Sequence, residues 1–154
     1  MGNKKNLIFF MPFIGGGGVE KNLYIITNYL SKKNKNLYVC TVSKDKKNKF
    51  NKSIKFIFPE SNFSHKLNIR IKYLISLFTL SKFLLKNKEC ENIIFSFQAN
   101  IYCIFLCKIF NIKIIVRSNS SPSGWSHNFI KKKQHIIKCA AYSNNINLFN
   151  GIES

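Results

Sequence analysis

Four consecutive glycines, Gly15, Gly16, Gly17 and Gly18, are the strongest chemical signal in this 154-residue chain. Glycines let a ligand approach the backbone closely, and N–H groups left open at a helix N-terminus suit a phosphate. The known phosphate fingerprints do not fit. G-x-G-x-x-G read from Gly15 needs glycine where Glu20 stands, and no G-K-[ST] follows. The competing reading is a plain strand-to-helix turn. Arg117, one of only two arginines, suits a phosphate or a sugar hydroxyl, or pairs with a nearby carboxylate. Trp125 can stack on a ring or anchor its loop. Of the three histidines, His127 falls beside a candidate ligand loop, and His65 and His135 read as surface residues. The acidic residues Glu20, Asp45, Glu60, Glu89, Glu91 and Glu153 show no catalytic pairing in their spacing. Five scattered cysteines contain no C-x-x-C, which argues against zinc. Cys103 and Cys107 read as small buried apolar side chains, and free thiols fit a reducing compartment.

The charge is extreme, 25 Lys+Arg against 6 Asp+Glu, a formal net charge of +19. Such a balance points to a polyanion or an anionic surface. Yet 23 of those basic residues are Lys, beside 20 Asn and 22 Ile, the mark of AT-rich coding. Arginine, which bidentate phosphate and guanine recognition favours, is nearly absent, and that argues against nucleic acid. The first apolar run, residues 7–14, is too short for a signal peptide. Gly2 opens a myristoylation pattern, but Leu7 breaks it. No uncharged run reaches bilayer-spanning length. Cytoplasmic placement is expected, with contact at the inner face of the membrane as an option.

These residues need elements to position them. Residues 7–11 are continuously apolar, as in a strand buried on both faces. A helical stripe of Val19, Leu23, Ile26 and Leu30 follows, with Glu20 in the first turn and Lys32 and Lys33 at the end, as the macrodipole prefers. Further strands are expected at 37–42, 54–58, 92–97 and 112–116, helices at 65–88, 99–110 and 129–140, and loops at 43–53 and 118–127. A sixth strand is expected around 140–144, which the residues there fill poorly. The alternation predicts one α/β domain over 1–154, a Rossmann-like, mostly parallel sheet of five or six strands with helices on both faces. Ligands of such sheets bind at the carboxyl ends of the strands. Three segments fall there: 12–18, 98–100 and 117–127.

The segment Phe10-Met11-Pro12-Phe13-Ile14-Gly15-Gly16-Gly17-Gly18-Val19-Glu20-Lys21 resembles the opening of family-4 glycosyltransferases, where a first strand runs into a glycine-rich loop followed by a glutamate. Ile114-Ile115-Val116-Arg117-Ser118-Asn119 is similar to that family's fifth strand and loop. The resemblance implies the N-terminal, acceptor-side half of a GT-B fold. It further implies sugar transfer from a nucleotide-sugar donor to a saccharide or lipid-linked acceptor, with no cofactor and no metal. By resemblance, Gly16, Gly17 and Gly18 lie near donor phosphates and acceptor, and Arg117 and Asn119 line the acceptor side. Ser96 and Gln98 stand where the family often has a histidine, and His127 remains as a cleft-side candidate. The family's donor-binding domain, with its paired glutamates, is absent from the sequence, so a truncated unit is expected, inactive alone because half a cleft cannot hold both substrates. The rival readings are a non-catalytic Rossmann-like module for nucleotide or phosphate, and a basic membrane-surface protein.

The helix at 65–88 carries Leu67, Ile71, Leu74, Ile75, Phe78 and Leu85 on one broad face, among Lys66, Arg70, Lys72, Lys82, Lys86 and Lys88. Two functions compete for that face. It covers the sheet, as a two-faced sheet requires, or it lies on an anionic bilayer as basic amphipathic helices do.

Overall fold

The computed structural model describes residues 5–60 and 67–117 in full, together with the backbone of 147–149. Six strands run in the order β3-β2-β1-β4-β5-β6: β1 Lys5–Phe10, β2 Leu37–Cys40, β3 Lys55–Ile57, β4 Glu91–Ser96, β5 Lys113–Arg117 and β6 Asn147–Phe149. Every pairing is parallel, so the α/β, Rossmann-like expectation holds. The helices are α1 Gly18–Ser31, α2 Ile69–Lys86 and α3 Asn100–Ile109.

The continuous apolar strands are explained by burial on both faces. Alternate side chains point opposite ways, so Ile8 and Phe10 join Ile94, Ile114 and Val116 against α2 and α3. Phe9 and Met11 join Val39 and Phe97 against Leu23 of α1. The central β1 is the best covered, with Ile8, Phe9 and Phe10 fully buried. Cys40, Cys103 and Cys107 lie in the α2–α3 core. Burial pushes the Cys40 thiol up, and a hydrogen bond with Cys103 together with burial does the same for Cys107. All three side chains are buried in that core. At the amino ends of β1, β4 and β5, Lys113 and Lys5 hold the half-buried Glu91 carboxyl below its usual range.

Several expectations shift. The second strand stops at Cys40 because Val42 turns its N–H to the Pro12 carbonyl (3.0 Å). The loop expected at 43–53 holds a 3-10 helix, Lys44–Lys49, and buries Phe50 against Tyr24 and Phe56. Helix α1 ends at Ser31, so Lys32 is its C-cap and Lys33 follows it. A sixth strand forms at Asn147–Phe149, paired with β5 (Ile115↔Asn147); the stretch 140–144, where one was expected, lies outside the described residues. The loop expected at 118–127, with Asn119, Trp125 and His127, and the helix expected at 129–140, with His135, lie outside the described residues, as do His65 and Cys139.

The largest correction concerns α2. The face of Leu67, Ile71, Leu74, Ile75, Phe78 and Leu85 does not cover the sheet. Its buried stripe is Ser76, Leu80 and Leu84, and Ile71, Leu74, Phe78 and Leu85 are exposed. The helix carries an apolar stripe on each of two opposite sides, with basic residues between them, so periodicity could not choose between the two.

Candidate functional site at the carboxyl edge

Strand order reverses between β1 and β4. The loops leaving these strands diverge to opposite faces, and a crevice at such a reversal is where open α/β sheets take ligands. The β1 loop is firmly based. The Pro12 carbonyl accepts from Val42 N–H (3.0 Å), Ser76 Oγ (3.3 Å) and Thr41 Oγ1 (3.4 Å), while Ile14 N–H donates to Ser43 Oγ (3.0 Å). Two strands and α2 thus fix the point from which the glycines begin.

None of the four glycines has positive φ. Backbone conformation therefore does not demand them. A Cβ on Gly17 would stand 3.0 Å from Glu20 Oε2, and one on Gly15 3.3 Å from Glu20 Oε1. At Gly16 and Gly18 a Cβ would meet nothing within 4 Å. Neither packing nor dihedral geometry explains those two, and their open side is free for a ligand's close approach.

Gly17 is the N-cap of α1 and offers no side chain to the helix. Glu20, in the first turn, supplies the anion instead: its Oε1 accepts from Gly15 N–H at 3.1 Å, and the residue is 8% exposed. This resembles the returning half of a capping box, where the glutamate at the third helical position bonds back to the N-cap. Sequence alone placed Glu20 in the first turn and after the glycine-rich loop; its three-residue spacing from Gly17 is the signal that it bonds back to that loop.

An open cleft of about 460 Å³ borders this loop, lined by the four glycines with Glu20, Lys21, Tyr24 and Lys49. Tyr24 packs edge-on against Phe50 (4.8 Å), and Lys49 Nζ lies 5.6 Å from the Tyr24 ring. The Tyr24 hydroxyl is shielded from solvent without a hydrogen-bond partner, and burial raises its pKa while Lys46 opposes the rise. Tyr24 and Lys49 were missed from sequence, since Lys49 arrives from the 3-10 helix after β2. A smaller cleft of about 220 Å³ lies at the amino ends of β4 and β5, where Glu91 is already paired with Lys5 and Lys113.

The ends of β4 and β5 carry the other candidates. Ser96 Oγ is within hydrogen-bonding reach of Asn100 Oδ1 (2.9 Å) and the Gln98 carbonyl (3.1 Å). Asn100 Nδ2 donates to the Arg117 carbonyl (2.8 Å). This chain of bonds ties β4, the start of α3 and the end of β5 into one piece. Ser96 is therefore a positioning residue. Gln98 Oε1 is buried and has no hydrogen-bond partner, a state most buried polar atoms avoid. Arg117 lies with Cζ 5.7 Å from the Phe97 ring, and among the described residues no carboxylate pairs with it. The paired-arginine alternative thus finds no partner there. Gly16, Gly17, Gly18, Gln98 and Arg117 all fall at the carboxyl ends of the neighbouring strands β1, β4 and β5.

Ala99, between Gln98 and α3, has φ 55 and ψ 35, the left-handed region. A residue with a Cβ held there stores strain of about 1–3 kcal/mol, and such residues cluster at ligand sites. Ala99→Val places a β-branched side chain at that φ. It is expected to lower the unfolding free energy by about 1–3 kcal/mol in urea titration; an unchanged midpoint would contradict the left-handed assignment.

No family model matches the chain, and no curated protein and no solved structure matches it.

Proposed function

We propose that this unit is the acceptor-side half of a sugar-transferring enzyme of the family-4 glycosyltransferase type. It would work with a nucleotide-sugar as donor substrate and a saccharide or lipid-linked acceptor. The observation that carries the reading is the Glu20 carboxylate, bonded into the glycine loop at the reversal of strand order. A bare phosphate-binding turn presents open N–H groups to its ligand. Here a carboxylate already occupies the helix N-terminus, and it would repel a phosphate at that spot. Carboxylates accept hydrogen bonds from hydroxyls, so the loop suits the hydroxyl-rich part of a ligand. This favours the sugar reading over a non-catalytic phosphate module. Lys21 and Lys49 line the same cleft and Arg117 ends β5, available for the donor's diphosphate. Gln98 Oε1, buried without a partner, accepts from a further hydroxyl. In the reaction the bond from the sugar to the donor's phosphate breaks, the acceptor oxygen forms the new glycosidic bond, and the departing nucleoside diphosphate takes up that hydroxyl's proton.

The test is an amide-shift titration of the isotopically labelled chain with a nucleotide-sugar, a free oligosaccharide and pyrophosphate. The sugar-bearing ligands are expected to move the signals of Gly15–Gly18 and Gln98 further than pyrophosphate does. Equal shifts from pyrophosphate would support the phosphate module instead. No shift from any ligand would overturn the reading.

A further inference from the structure

We infer that the outward face formed jointly by α2 and α3 docks on an anionic phospholipid surface. Both helices pack on the same face of the sheet, through Leu80 and Leu84 of α2 and Cys103, Ile104 and Cys107 of α3, and they touch each other. Their opposite stripes are also apolar. Leu74 (63%), Phe78 (64%) and Leu85 (61%) on α2 are exposed, as are Tyr102 (58%), Phe105 (67%) and Ile109 (76%) on α3. Scattered exposed apolar residues need no explanation, but a patch of large side chains across two touching helices marks a surface that meets something.

Charge identifies what it meets. Arg70, Lys72, Lys82, Lys86 and Lys108 lie on these helices, and neither helix contains an Asp or Glu. Lys82 reaches Glu60 at 3.6 Å, and Lys72 Nζ stands 4.4 Å from the Phe13 ring. Lysine is depleted in the cores of protein–protein interfaces. A second copy docking through the same face would set lysines against lysines, because a two-fold interface pairs one patch with itself. A bilayer with anionic headgroups meets both halves of the pattern. Acyl-chain boundaries take the aromatic and aliphatic stripe, and lysine stems lie along it with their ammonium groups among the phosphates. Among the described residues no helix is long and apolar enough to cross a membrane, so the face rests on the surface.

The docking stripe lies opposite the buried stripe through which α2 supports the glycine loop. Helix α2 bonds the Pro12 carbonyl through Ser76 Oγ, and Lys72 covers Phe13, two residues before the first glycine.

Co-sedimentation with vesicles tests the docking without any sugar ligand, so its failure leaves the Gly15–Gly18 titration untouched. Phosphatidylcholine vesicles containing phosphatidylglycerol are expected to retain the chain, and pure phosphatidylcholine vesicles are not. A chain of net charge +19 adheres to anions through charge alone, so two variants separate docking from adhesion. Leu74→Ser/Phe78→Ser/Phe105→Ser changes exposed positions only, and is expected to cut retention about tenfold or more at moderate salt. Lys82→Glu/Lys86→Glu/Lys108→Glu is expected to abolish it. Circular dichroism confirms that both fold. Retention of the serine variant at the parental level would overturn the proposal. So would equal retention on neutral vesicles, or a dimer in sedimentation velocity that the serine variant dissolves.

Discussion

Replacing Phe9 by alanine is expected to lower the unfolding free energy by about 3–5 kcal/mol, the range for deleting a large aromatic side chain from a core. Phe9 is fully buried on the central strand and stacks on Phe95 at 5.4 Å and 16°. It also meets Phe97 at 6.0 Å, and Phe95 and Phe97 lie 5.0 Å apart. The ring therefore supports two others on β4 and beyond its end, and the collapse available to an alanine there is small. Small domains have about 5–15 kcal/mol in total, so this one change removes a large share of the margin. The effect reaches the site, because Arg117 rests over Phe97. Phe9→Leu keeps most of the volume and is expected to cost less. It leaves a folded protein in which a loosened Arg117 platform shows as weaker nucleotide-sugar binding. Urea titration of both variants, with ligand titration of the leucine form, checks this. A loss below about 1 kcal/mol for Phe9→Ala would show that the aromatic cluster does not anchor the sheet.

Gly17→Val is expected to leave the fold standing and to abolish ligand-induced shifts in the glycine loop. The backbone at Gly17 is extended (φ −94, ψ −173), so valine adopts it without strain. Its Cβ, 3.0 Å from Glu20 Oε2, displaces the carboxylate that accepts from Gly15 N–H. Loss of that bond is expected to cost about 1–2 kcal/mol, the size of a lost cap. The loss of binding is expected to exceed tenfold, about 1.4 kcal/mol, because loop geometry and hydroxyl acceptor go together. Gly16→Ala isolates the ligand's own demand. An added methyl there meets no protein atom within 4 Å, so stability should not fall while affinity does. Unchanged binding in both variants would leave the loop a plain connector.

Much of the fold was legible because strand burial writes itself locally. Runs such as Leu7–Met11 and Ile112–Val116 are continuously apolar only where both faces are covered, and the stretches between them carry the helix period. The glycine loop was legible too, since four glycines before a helix have few other uses. Gln98 and Arg117 were placed correctly at strand ends, but their states were not legible. The buried, partnerless Gln98 oxygen and the arginine over Phe97 depend on β4 lying beside β5.

The sequence by itself determined the alternation of elements and the parallel sheet. Each follows from period and composition within a window of a few turns. Tertiary structure decided the strand order β3-β2-β1-β4-β5-β6 and the placing of β6 at Asn147–Phe149. It also decided which stripe of α2 faces inward. Ser76 sits among the buried residues because its hydroxyl meets the Pro12 carbonyl, 64 residues away in the chain. That bond and the packing of Leu80 and Leu84 turn Leu74, Phe78 and Leu85 outward. A helix with an apolar stripe on each of two opposite sides carries no periodic signal to choose between them, and the choice belongs to contacts that exist only once the chain has folded.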